Sequence, residues 1–131
     1  MLSVEDNAGF ASIERIKSSL AIRSVVKDGA SVNAYPLKCF YRHTPRSSTP
    51  VQLAVVVSKR RFKHAVDRNR VKRLMRESFR LQKRLFSIHQ DATLQMCCLF
   101  VGQETPSFVQ VYKAVGRIAR KLYDSQDNTR L

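Results

Sequence analysis

Residues Ser58 to Arg84 read SKRRFKHAVDRNRVKRLMRESFRLQKR, and an apolar run of strand length lies on either side, VQLAVVVS from Val51 to Ser58 and LQMCCLFV from Leu94 to Val101. Strand, long helix and strand in that order predict a βαβ crossover with parallel strands. On a helix from about Ala65 to Arg84, the residues Val71, Leu74, Met75, Ser78, Phe79 and Leu85 fall in one sector. Arg68, Asn69, Lys72, Arg73, Arg76 and Arg80 share the opposite side. Twelve cations against Asp67 and Glu77 give the segment a local balance of +10, most of the +14 carried by the whole chain. One helix thus carries a core stripe and a cationic stripe.

Working outward, a first helix is predicted from Ser19, as N-cap, to Asp28, because Ile22, Val25 and Val26 share a face and Gly29 supplies a left-handed stop. Ala30 to His43 has the β-branched and aromatic character of a strand, interrupted or placed at an edge by Pro36. The segment TPRSSTP, Thr44 to Pro50, reads as a surface connection. Downstream, Thr105 as N-cap and Pro106 at the first helical position open a last helix. Its apolar side is Phe108, Val111, Tyr112, Val115, Ile118, Ala119 and Leu122, and Lys113, Arg117, Arg120 and Lys121 form its solvated face, with a second basic site as the other reading. The expected fold class is α/β, in a two-layer α+β arrangement: a small sheet packed by three helices in the order α-β-β-(β)-α-β-α, one strand being optional. Residues 14–123 form the single domain, 1–13 a disordered or loosely packed N-terminus and 124–131 a frayed tail.

A chain of 131 residues with 44% hydrophobic content can bury a core of its own. A pI near 10.5 with cations clustered in one segment is the footprint of a nucleic-acid binder. An anionic membrane is the weaker reading, because Leu74, Phe79 and Leu85 are needed inside the domain. Cys39, Cys97 and Cys98 are an odd count, and adjacent Cys97 and Cys98 point to opposite faces of a strand, so no disulfide framework is expected. With early acids at the N-terminus and no apolar run of spanning length, the expected location is the cytoplasm.

A protein-built catalytic site is not visible. His43, His64 and His89 are scattered without metal-ligand spacing, and no glycine-rich phosphate loop is present. Asp67 and Glu77 lie about 15 Å apart along one helix, too far for an acid–base pair; both suit the arginines around them. The cationic stripe can bind phosphates, through bidentate Arg forks, Lys point charges and Asn69. Charge-only helix faces normally mix Lys or Arg with Glu, and this one does not. A basic helix could enter a DNA major groove, but Phe40, Tyr41, Val55 and Val57 offer a platform better suited to single-stranded RNA, with ordinary core as the other reading of Val55 and Val57.

The run Ser58-Lys59-Arg60, Ala65-Val66, Arg68-Asn69-Arg70-Val71-Lys72-Arg73, Arg76-Glu77 and Phe79-Arg80 resembles the signature of the protein subunit of bacterial ribonuclease P. Arg15-Ile16-Lys17, Gly29, Tyr35-Pro36-Leu37 and Thr105-Pro106-Ser107 fall in that family's order, so the resemblance covers Arg15 to Leu122. It implies a left-handed βαβ crossover and an accessory role in an endoribonuclease. A partner ribonuclease P RNA holds the catalytic Mg2+ and removes the 5′ leader of precursor tRNA, and the protein binds no cofactor and needs no obligate protein partner. By this resemblance Lys59, Arg60, Arg61, Lys63, Arg70, Arg73 and Arg80 meet the catalytic RNA. Arg68, Asn69, Lys72 and Arg76, with Phe40, Ile22, Val26 and Val55, meet the leader. Family members often place aromatics where this chain has Ile22 and Val26, so leader contact here leans on van der Waals packing and charge. The alternative is a noncatalytic RNA-binding or ribosome-associated structural protein.

Overall fold

The computed structural model describes residues 13–86 and 91–130, with side chains described as far as Ser125. In chain order the elements are β1 (Ile13–Arg15), α1 (Ser19–Asp28), β2 (Ala30–Ala34), β3 (Leu37–Pro45), β4 (Val51–Val56), α2 (Ala65–Leu81), a 3₁₀ turn (Lys83–Phe86), β5 (Ala92–Phe100) and α3 (Phe108–Arg130). The two apolar runs are parallel neighbours, Val51 opposite Leu94 through Val56 opposite Leu99, with α2 as their crossover. The sheet order is β1-β4-β5-β3-β2. The fold is therefore mixed α+β, a five-stranded open sheet with three helices among the described residues.

Alternation along the central strands divides the molecule. Cys39, Leu53, Met96 and Cys98 join the main core with Val71, Met75 and Phe79 of α2 and Val111, Val115 and Ile118 of α3. Phe40, Ala54, Val56, Cys97 and Leu99 belong to a second cluster, closed by Ile16 and by Ala21, Ile22 and Val25 of α1. Helices α2 and α3 thus lie side by side on one face, and α1 lies on the other. Cys97 and Cys98 do point to opposite faces, and the described cysteines are free. Burial is the main cause that pushes the Cys97 thiol up to about 11 and the Cys98 thiol well above its usual value, so both are protonated at neutral pH.

Several boundaries differ from the sequence reading, each for a local reason. The expected strand from Ala30 to His43 is a hairpin, because a cis Tyr35-Pro36 bond turns the chain between β2 and β3. Ile13 belongs to β1, a three-residue strand too short to show periodicity; the rest of the expected N-terminal segment, residues 1–12, lies outside the described residues. The N-cap of α1 is Ser18, whose Oγ accepts from the Ala21 amide at 3.3 Å, and α3 is capped by Ser107, whose Oγ accepts from Gln110 N at 3.1 Å, instead of Thr105. The α3 backbone runs on to Arg130, beyond the expected end near residue 123. Helix α2 ends at Gln82, which is buried and donates from Nε2 to the carbonyls of Ser78 (3.3 Å) and Tyr112 (3.0 Å). The 3₁₀ turn that follows changes the phase, so Leu85 faces solvent at 50% exposure and Phe86 takes the core position.

Gly29 is not a left-handed stop. Its φ of −84° and ψ of 169° are extended, and it is glycine because a Cβ there would overlap the carbonyl oxygens of Tyr41 and Val25. The end of α1 is pressed against β3 at this point. Gly29→Ala is expected to cost about 1–3 kcal/mol through overpacking, read as a lower urea midpoint. An unchanged midpoint would show that the contact yields without cost.

Candidate nucleic-acid interface

The residues of the basic segment are placed by how it enters α2. The connector from Ser58 to His64 folds on itself, with the Arg61 and Phe62 amides donating to the Ser58 carbonyl, each at 3.2 Å. Phe62 enters the core against Phe100, ring centroids 5.8 Å apart. Arg68 reaches back and donates from Nη1 to the carbonyls of Phe62 (2.9 Å) and Lys63 (3.0 Å). This arginine therefore staples the connector as well as standing on the cationic side. Arg61 donates to the Gly102 carbonyl at 3.3 Å, while Lys59, Arg60 and Lys63 are exposed.

The row set by i, i+4 spacing, Arg68–Lys72–Arg76, continues to Arg80. Its end opens on a cleft of about 440 Å3 at the β1–β4 edge of the sheet, lined by Ile13, Arg15, Ile16, Ile22, Leu53, Ala54, Val55, Arg76, Arg80 and Lys83. Among the described residues β1 pairs with β4 from Ile13 opposite Val51 to Arg15 opposite Leu53. After the Ile16 amide bonds the Leu53 carbonyl at 3.0 Å, the chain leaves for α1, and among the described residues the edge of β4 beyond Leu53 has no neighbouring strand on that side; the cleft opens there. The floor is apolar and the walls carry four cations.

The electrostatics of this cleft suit an anion. The Arg76 guanidinium lies below its usual value, first through burial and then through the nearby positive charge of Arg15. Two like charges held near each other beside apolar surface favour an anion between them. Arg80 is pulled the other way by Glu77, whose carboxylate accepts from Nε at 3.1 Å and from Nη2 at 2.5 Å. That hydrogen bond is the main cause that lowers Glu77 and raises Arg80.

Of the residues expected to meet a leader, the structure brings Ile22, Val55 and Arg76 to this cleft. Asn69 is exposed and Lys72 half-exposed on α2. Phe40 lies in the second cluster beneath α1, with Lys38 Nζ 5.5 Å from its ring centroid, a place that a stacked base would contest. Val26 is exposed on α1 and does not line the cleft. Of those expected to meet a catalytic RNA, Arg70 and Arg73 are exposed on α2, and Arg80 lines the cleft beside Arg76. Arg60 and Arg61 line a separate depression of about 430 Å3 with Val56, Ser58, Leu99, Phe100 and Val101 at the carboxyl ends of β4 and β5. Sequence reasoning missed Arg15, Lys83, Ile13, Ile16, Leu53 and Ala54 as lining residues. The charge of Arg15 was visible, but its place beside Arg76 depends on a three-residue strand.

Among the described residues no helix is long and apolar enough to cross a membrane. A family model described as ribonuclease P matches residues 10–123. A ribonuclease P protein component from Porphyromonas gingivalis is 35% identical over 111 residues, 82% of this chain and 81% of the relative. One from Chlorobium phaeobacteroides is 32% identical over 123 residues, 83% and 84% of the two chains. Among solved structures, the RNase P protein of Staphylococcus aureus superposes with a TM-score of 0.65 at 20% identity, covering 85% of this chain and 96% of its own. The Thermotoga maritima protein gives 0.65 at 22% identity, covering 82% and 96%. With a family match over residues 10–123 and relatives more than 30% identical over most of both chains, the chain belongs to the ribonuclease P protein family.

Proposed function

We propose that this chain is the protein subunit of a ribonuclease P holoenzyme, binding the catalytic RNA and holding the single-stranded 5′ leader of precursor tRNA while the RNA cleaves. The observation that carries the reading is the cleft at the β1–β4 edge, in a chain of this family. Arg15, Arg76, Arg80 and Lys83 are suited to backbone phosphates, and the floor of Ile13, Ile22, Leu53 and Val55 to the faces of unpaired bases. A narrow site with one apolar floor fits an extended single strand better than a duplex. The exposed cations Lys59, Arg60, Lys63, Arg70 and Arg73 are left for the catalytic RNA.

The chain's contribution to catalysis in this reading is position. Fixing the leader fixes the scissile phosphate relative to the RNA active site, and orientation of this kind lowers the barrier without a protein acid or base. Among the described residues, no three His, Cys, Asp or Glu side chains gather as a metal site. In this reading the Mg2+ ions belong to the RNA, where they would activate the attacking water and stabilise the leaving oxygen.

Mixing the purified chain with a bacterial ribonuclease P RNA at low magnesium should raise the rate of precursor-tRNA cleavage. With about six to eight phosphates neutralised, the logarithm of the binding constant should fall with the logarithm of salt at a slope of about −4 to −7. RNA binding without any change in cleavage rate would reduce the protein to a noncatalytic RNA-binding or ribosome-associated structural role.

A further inference from the structure

We infer that the interface with the catalytic RNA extends beyond α2, across the outer face of α3. The inference rests on the holoenzyme reading above and adds a surface to it. Helices α2 and α3 pack against each other on the same face of the sheet. Their seam is fixed by Gln82, which caps α2 and donates to the Tyr112 carbonyl of α3 at 3.0 Å. At the same seam a Cβ on Gly116 would stand 3.1 Å from Gln82 Oε1. The outward sides of the two packed helices therefore adjoin, and an RNA that lies against Arg70 and Arg73 on α2 has α3 as its neighbour.

On that surface Lys113, Arg117, Arg120 and Lys121 surround a shallow depression of about 460 Å3, and Gly116 is its remaining lining residue. Lys113, Arg117 and Lys121 recur at i, i+4 and i+8, a row with steps of about 6 Å. The acid facing them is Asp124, 4.0 Å from Arg120, in a pair that is mostly solvent-exposed and weakly held. A face that only needs solubility mixes both signs; this one keeps a positive excess. Lys121 also donates to the Asn33 carbonyl on β2, which anchors one end of the row to the sheet edge.

The occupant follows from what the depression lacks. Among the described residues its lining is Lys113, Gly116, Arg117, Arg120 and Lys121, without an aromatic or large apolar side chain, so it offers phosphate contacts and no platform for unpaired bases. It also lies on α3, whereas the leader cleft opens on the β1–β4 edge at the far side of α2. A phosphate backbone in folded RNA fits both facts, and in the holoenzyme that RNA is the catalytic subunit.

The test compares the parent chain with Lys113→Gln/Arg117→Gln, exposed changes to residues of similar helix propensity. Binding to ribonuclease P RNA alone is measured across a salt series, and binding of precursor and mature tRNA is then measured with the assembled holoenzyme. Affinity for the RNA subunit should fall by about tenfold or more, and the salt slope should become shallower by about 1 to 2, as expected for two lost phosphate contacts. The ratio of precursor to mature tRNA affinity should not change. An unchanged slope with unchanged affinity overturns the inference, as does a loss confined to precursor tRNA, which would place the leader on α3. A parent chain that stimulates cleavage while the variant matches it in every respect overturns this inference alone. A parent chain that neither binds nor stimulates the RNA overturns the holoenzyme reading and this surface with it.

Discussion

Phe79→Ala is expected to destabilise the folded chain by about 3–5 kcal/mol, the range for removing a buried aromatic side chain and leaving a cavity. Phe79 is 1% exposed and belongs to the main core with Val71 and Met75. Its ring meets that of Phe86 at a centroid distance of 5.2 Å. The substitution therefore removes more than apolar area on α2. It also removes the partner that seats the 3₁₀ turn, and the turn carries Lys83 to the cleft at the β1–β4 edge. A domain of this size has a stability of only about 5–15 kcal/mol, and a net charge of +14 adds self-repulsion. The variant should lose a large share of its stability, with urea melts showing a strongly reduced midpoint. Polyanions that bind only the folded state should restore part of the loss, by mass action. A loss below about 1 kcal/mol would mean that the core around α2 closes over the missing ring, and the account of how the turn is held would have to be abandoned.

The crossover and the main core were readable because their signals are long. Two apolar runs flank a helix whose stripe of Val71, Met75 and Phe79 repeats at helical spacing, and no competing arrangement buries that stripe as well. The cationic row was readable for the same reason, since i, i+4 spacing fixes which side chains stand together wherever the helix lies. What could not be read depends on contacts between distant segments. Arg15 meets Arg76 only because three residues pair with β4 and the chain then departs. Leu85 was expected inside by continuing the periodicity past Gln82, but Gln82 bonds across to Tyr112 and ends the helix there. Gly29 was expected to provide a backbone conformation, whereas it provides space. In each case a local rule was applied one step beyond where tertiary packing takes over.

Arg76→Ala is expected to weaken precursor-tRNA binding by the holoenzyme by about 10- to 100-fold, the value of a charge-assisted hydrogen bond of about 1.5–3 kcal/mol. Mature tRNA lacks the leader and should bind almost as before. Arg15→Ala should act in the same direction, and the two losses should not add. In the free protein Arg76 lies below its usual value first through burial and then through the positive charge of Arg15, so the two guanidiniums oppose each other. A phosphate between them turns that opposition into shared attraction, so each cation makes the other more useful once the leader is bound. Either single variant forfeits this gain along with its own contact. The double variant forfeits it only once, and its loss should be smaller than the sum of the two single losses. Arg76→Lys should recover part of the affinity, because the charge remains but the planar fork does not. Titrating precursor and mature tRNA into holoenzymes built from the four variants would decide the matter. Equal losses on both substrates would move Arg76 from the leader to the catalytic RNA. Strict additivity would mean that Arg15 and Arg76 hold separate phosphates.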